Sequence, residues 1–172
     1  MSKFSVILGN VGQCSDRYMT TGYSEAYTTQ ELFDRVGPIS DVTGVELVSG
    51  ANITKENIDE IKGYLKKYNL TVSSIIPNHF SLRRWKLGAF TSPDKEVRRQ
   101  AIKDTFEAID IAKAVGCDLI NIWNGQDGWD YPLQVDYVQT AEWLIEGIRE
   151  CADYAPDVKI ALEYKPKEPR TY

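Results

Sequence analysis

Glu163, Tyr164 and Lys165 set a carboxylate and an ammonium two residues apart, at the end of an apolar run that begins at Val158. Strand alternation puts Val158, Ile160 and Leu162 on one face and Lys159, Ala161, Glu163 and Lys165 on the other. A carboxylate so placed could bind a hard divalent cation through oxygen, and the lysine could stabilise charge on a carbonyl oxygen as it is polarised. The same two residues also read as a solvated charge pair beyond a strand end. The single histidine, His79, could act as an acid or base near neutral pH, or be a surface or packing residue. Further polar and aromatic residues gather in short segments at Asn10, Ser49 to Asn52, Asn78-His79-Phe80 and Trp123-Asn124-Gly125-Gln126-Asp127.

The elements that must position these residues alternate regularly. Apolar or β-branched runs predict strands at Phe4 to Leu8, Val45 to Val48, Thr71 to Ile76, Leu119 to Trp123 and Val158 to Glu163. Between them, Thr28 and Glu31 have capping-box spacing before a helix that Gly37-Pro38 stops. Thr54 is expected to cap a helix with Ile58, Ile61, Leu65 and Tyr68 on one face. Ser92 as cap and Pro93 at the first helical position are expected to open the next helix, whose buried stripe would be Val97, Ala101, Ile102, Thr105, Ile109 and Ala112, ending at Gly116. Val138, Ala141, Leu144, Ile145 and Ile148 predict the face of the last helix. Five strands separated by helices imply βαβ units and a parallel α/β sheet. Parallel sheets bind ligands at the carboxyl ends of their strands, where the segments named above fall.

Composition narrows the function classes. The chain has 172 residues, enough for one domain with a sizeable core, whereas a closed eight-stranded barrel usually needs about 200 or more. No apolar run is long enough for a membrane span, and Met1-Ser2-Lys3 leads straight into a strand, so the expectation is a cytoplasmic protein without membrane association. Cys14, Cys117 and Cys151 are scattered, without CxxC spacing, and read as reduced thiols. The net charge of −5 argues against a nucleic-acid partner. Trp85 and Trp143 read as packing residues.

Three segments carry a family resemblance. Ala161-Leu162-Glu163-Tyr164-Lys165-Pro166-Lys167-Glu168-Pro169-Arg170 resembles the xylose isomerase motif A-L-E-x-K-P-x-E-P-R. Gly88-Ala89-Phe90-Thr91-Ser92-Pro93-Asp94, continuing to Val97-Arg98-Arg99, resembles the same family's G-A-F-T-x-x-D-x-x-V-R. Ile122 to Gly128 is similar to its W-G-G-R-E-G turn. The resemblance covers residues 70 to 170 well and the first 70 in outline. It implies that residues 1–172 form the N-terminal part of a single xylose isomerase-like TIM-barrel domain, with about five of its eight strands present.

The resemblance also implies roles. Glu163 would be a metal ligand, Lys165 would contact a substrate oxygen, and Glu168 would lie near the rim of the metal site. Trp123 would form an apolar wall of a sugar pocket, with Phe80 a second candidate for that wall and Asn124 beside it. The implied chemistry is aldose–ketose isomerisation, or epimerisation, with Mn²⁺ or Mg²⁺ (Co²⁺ a third candidate) completed by ligands outside this chain. The family's ring-opening histidine has no counterpart in Val45 to Asn52, which leaves His79 as a substitute acid or base. Asn124 and Gln126-Asp127 replace the small and charged residues of the family's turn, and Trp129-Asp130-Tyr131-Pro132 extends it, so the substrate is expected to be a sugar other than xylose. An open five-stranded sheet predicts that a homo-oligomer or a missing C-terminal half completes the barrel, and that the chain alone is inactive. Two alternatives stand beside this reading: a non-catalytic half-barrel binding a sugar or a partner chain, and an apurinic-endonuclease-like phosphodiesterase, against which the single histidine and acidic balance argue.

Overall fold

The computed structural model describes residues 3–15, 19, 21–129 and 131–164. Thr28 opens the first helix as its spacing predicts. Its Oγ1 accepts from the Glu31 amide at 3.3 Å, and the Glu31 carboxylate accepts from the Thr28 amide at 2.7 Å. The Thr28 amide and, at 2.8 Å, the Thr28 hydroxyl both donate to the Glu31 carboxylate and hold that carboxyl below its ordinary pKa. The helix, α1 (Thr29–Val36), connects β1 (Phe4–Ile7) to β2 (Val42–Ser49).

Two helix starts differ from expectation, each because a side chain makes a turn first. The Asn57 Oδ1 accepts from the Thr54 amide at 2.8 Å, so α2 (Ile58–Tyr68) begins after Asn57 and not at Thr54. Ser92 Oγ accepts from the Asp94 amide at 3.3 Å, and Asp94 Oδ1 caps the Glu96 amide at 2.9 Å, so α3 (Lys95–Val115) begins after Asp94. Gly116, at φ 76°, ends α3 in the left-handed conformation that its position predicts.

With β3 (Thr71–Pro77), β4 (Leu119–Trp123), α4 (Tyr137–Tyr154) and β5 (Lys159–Glu163), the strands form one parallel sheet in the order β1-β2-β3-β4-β5. It is an incomplete, unclosed (β/α) barrel with β1 and β5 at its edges. Val45, Leu47, Ile75, Ile120 and Ile122 project from the outer face and are fully buried with Phe33, Ile61, Ala108 and Ile109 of the helices. Each such aliphatic side chain contributes about 1.5–3 kcal/mol of hydrophobic stabilisation. The α3 stripe is buried as expected from Ala101 to Ala112, with Val97 partly buried.

The last helix turns only part of its expected face inward: Leu144 and Ile148 pack partly buried against the core. Thr140, Gly147 and Cys151 are buried, whereas Val138 is 70% and Ile145 49% exposed. The approach is close at Gly147: a Cβ there would lie 2.6 Å from Phe90 Cδ1, so a bare glycine backbone lets α4 seat against the Phe90 ring. On β5, Ile160 and Leu162 take the outer face opposite Ile120 and Ile122. Leu162 remains 49% exposed there. Trp85 is fully buried, and the Arg98 guanidinium lies 3.9 Å over the Trp143 ring.

Candidate functional site

The inner face of the sheet carries polar residues on four strands. Register pairs Glu46 of β2 with Ser74 of β3, and Trp123 of β4 with Glu163 of β5. A bulge in β3 shapes the first pairing: Val45 faces Val72, but Glu46 faces Ser74, leaving Ser73 as the extra residue. The Ser73 hydroxyl donates to the Val45 carbonyl at 3.2 Å and shares a 2.6 Å hydrogen bond with Ser5 of β1. The Ser74 hydroxyl donates to Glu46 Oε2. Asn121 Nδ2 then donates to Glu46 Oε2 at 3.3 Å and to Glu163 Oε2 at 2.8 Å. Glu163 is thus an exposed carboxylate at the carboxyl end of β5, tethered through β4 to a half-buried carboxylate on β2.

Above this row the strand-end loops form an apolar wall. The Phe80 and Trp123 rings meet edge to face, 5.0 Å between centroids at 66°. Gln126 Nε2 donates to the Phe80 carbonyl at 3.3 Å, joining the loops after β3 and β4. A Cβ on Gly125 would lie 2.4 Å from the Trp123 ring, so glycine is what lets the indole fold over that turn. Asn124 sits half-buried between them.

Asp127 locks the wall to its support. Its carboxylate, 3% exposed, accepts from the Ala89 amide at 2.8 Å, the Thr91 amide at 3.0 Å and the Thr91 hydroxyl at 2.7 Å. Gly88 takes φ 95°, and a Cβ there would lie 2.7 Å from Thr91 Oγ1. Two of the recognised segments, Gly88 to Asp94 and Ile122 to Gly128, are therefore one hydrogen-bonded unit.

The structure brings Glu163, Trp123, Phe80 and Asn124 to the same end of the sheet. It separates His79 from them. The imidazole is fully buried, its Nε2 lies 3.1 Å from the Ala101 carbonyl of α3, and its ring packs edge-on against Trp85 and Phe90 at 5.4 and 5.2 Å. Burial pushes its pKa down to about 4, so the ring is neutral at neutral pH. This placement between sheet and α3 is that of a packing residue, a correction to its expected place in the site. Lys165 and Glu168 lie outside the described residues.

Glu46, Asn121 and Ser74 were not singled out from the sequence. Strand parity could have flagged the first two, since polar residues alternate with buried aliphatics in Val45-Glu46-Leu47 and Ile120-Asn121-Ile122. Among the described residues no three His, Cys, Asp or Glu side chains group as a metal site. A hard cation wants about six oxygen or nitrogen ligands. Glu163 fits as one of them, and the described residues do not complete the set.

The family model described as a xylose isomerase-like TIM barrel matches residues 31–171. The xylose isomerase of Thermus thermophilus is 32% identical over 117 residues, covering 66% of this chain and 30% of that protein. A probable sugar isomerase of Mesorhizobium japonicum is 25% identical over an alignment covering all of this chain and 42% of the relative. Among solved structures, a D-psicose 3-epimerase of Clostridium cellulolyticum H10, solved with D-tagatose, superposes with a TM-score of 0.64 at 17% identity, covering 94% of this chain and 52% of that one. The chain spans less than half the length of these curated relatives.

Proposed function

Because the chain belongs to the xylose isomerase-like TIM-barrel family, we propose that it is the N-terminal part of a sugar isomerase or epimerase, with Glu163 as its working carboxylate. The observation that carries this reading is Glu163 itself, on the inner face at the end of β5 and held by Asn121 beside the Trp123–Phe80 wall. The relatives support it by name, as xylose isomerase, probable sugar isomerase and D-psicose 3-epimerase.

In this mechanism the Trp123 and Phe80 rings take the C–H face of a sugar and exclude water from it. The Asn124 side chain hydrogen-bonds a substrate hydroxyl. Lys165 stabilises the oxygen that gains charge as a proton or hydride leaves the adjacent carbon. Glu163 orients the reacting hydroxyls. A divalent cation, Mn²⁺, Mg²⁺ or Co²⁺, would supply Lewis acidity with Glu163 as one ligand and the others from outside the described residues. Further (β/α) units or a second copy of the chain would cover Leu162 on β5, and the chain alone would be inactive. No helix among the described residues is long and apolar enough to cross a membrane, and we assign the protein to the cytoplasm.

The test is exchange of sugar C–H hydrogens into heavy water, followed by NMR over a panel of aldoses and ketoses with Mn²⁺ present. The protein is expressed from its full reading frame. Exchange at C1, C2 or C3 that Glu163→Gln abolishes is expected. Exchange unaffected by Glu163→Gln, or none with any sugar, would overturn the assignment.

A further inference from the structure

An exposed glutamate on an edge strand has several rotamers open to it, and a site built on one needs something that selects among them. Glu163 is such a residue, and the hydrogen bond that its side chain makes to a described residue comes from Asn121. The amide nitrogen of Asn121 carries two hydrogens. That nitrogen lies 2.8 Å from Glu163 Oε2 and 3.3 Å from Glu46 Oε2, an acceptor for each hydrogen. With an acceptor on each side, the amide plane has little freedom to turn. Glu46 is in turn held by the Ser74 hydroxyl, which the β3 bulge brings opposite it.

We propose that Glu46 is a positioning residue for Glu163, acting through the amide of Asn121. This rests on the reading of Glu163 as the working carboxylate. Glu46 does not meet the substrate. It sets the orientation of the Asn121 amide, which engages Oε2 of Glu163 and leaves Oε1 to meet a ligand. The row runs from Ser74 on β3 to Glu46 on β2, then to Asn121 on β4 and Glu163 on β5, so the orientation of an edge residue is anchored in the middle of the sheet.

A simpler role for Glu46 would be that of a nearby negative charge. Glu46→Gln and Glu46→Ala distinguish the two, because both remove the charge and only glutamine keeps an oxygen that can accept from Ser74 and Asn121. Two NMR readouts follow the effect: solvent exchange of the Asn121 side-chain amide hydrogens, and the Hβ–Hγ couplings of Glu163, which report whether it holds one rotamer. Expected are slow amide exchange and a single Glu163 rotamer in the unsubstituted chain and in Glu46→Gln. In Glu46→Ala the amide hydrogens exchange about fivefold faster and the Glu163 couplings average. If the two variants behave alike, or if Glu46→Ala leaves both readouts unchanged, the proposal fails. Should Glu46→Ala not fold, Ser74→Ala, which removes only the anchor of Glu46, is expected to move both readouts in the same direction, and no movement would overturn the proposal. Neither readout needs a metal or a sugar. Loss of the Glu46→Ala effect with sugar exchange intact would sink this inference alone, and the converse would sink only the proposed activity.

Discussion

Asp127 holds Thr91 twice, through the amide at 3.0 Å and the hydroxyl at 2.7 Å, and holds Ala89 once more at 2.8 Å. A single buried carboxylate thereby joins the loop that follows β4 to the loop that leads into α3. Hydrogen bonds to a charged acceptor are each worth about 1.5–3 kcal/mol, and an unpaired buried amide costs about 1–3 kcal/mol. Asp127→Ala is expected to destabilise the fold by about 3 kcal/mol, and Asp127→Asn by about half as much, because its NH₂ group cannot accept from Thr91. Urea denaturation measures both, and a change below about 0.5 kcal/mol for Asp127→Ala would contradict the role assigned to it.

His79 makes stability depend on pH. Its folded-state pKa of about 4 lies below the ordinary 6.5, so protonation favours the unfolded chain. Its contribution is whole above about pH 6.5, shrinks as the pH falls and is lost by about pH 4, an effect on the order of 3 kcal/mol. His79→Gln keeps an amide donor for the Ala101 carbonyl and does not titrate. The stability gap between the original chain and His79→Gln is therefore expected to narrow steadily between pH 7 and pH 4, as followed by urea denaturation at several pH values.

Gly147 and Gly63 should respond in opposite ways to alanine. A Cβ at position 147 meets Phe90 at 2.6 and 3.1 Å, and Phe90 is buried, so Gly147→Ala is expected to cost about 1–3 kcal/mol. A Cβ at Gly63, inside α2, meets nothing within 4 Å. Gly63→Ala is expected to stabilise by about 0.5–1 kcal/mol through helix propensity. Thermal melts of the two variants give the signs directly.

Trp123 and Gly125 offer a test of the sugar-facing wall. Gly125→Ala would put a methyl group 2.4 Å from the indole and displace it. Both Gly125→Ala and Trp123→Leu are expected to raise KM for the sugar about tenfold with a smaller change in kcat, since stacking binds substrate and transition state alike. Tryptophan fluorescence checks that the Gly125→Ala effect comes with a moved indole. An unchanged KM in Trp123→Leu would remove Trp123 from the site.

The sequence by itself determined the order of the elements and the face each strand turns inward. Val45-Glu46-Leu47, Ile120-Asn121-Ile122 and Ile160-Ala161-Leu162-Glu163 each alternate within a few residues, so parity is local information. The same locality made the Thr28 capping box and the Gly116 helix end legible, and the three quoted segments carried the family. What tertiary structure decided was how those faces meet. The bulge at Ser73 brings Ser74 opposite Glu46, where an unbroken register from Val72 would have paired Glu46 with Ser73. His79 follows β3 like a strand-end residue, but α3 closes over it, because the space between Trp85, Phe90 and Ala101 is formed by the loop after β3 together with a helix that strand parity does not see. The face of α4 likewise answers in part to the Phe90 ring, which seats Gly147 beside the Leu144 and Ile148 of its apolar periodicity and leaves Val138 and Ile145 outside. Periodicity states which side of an element a residue occupies. Register and close packing join elements distant in sequence, and those alone set Glu46, Asn121 and Glu163 in one row.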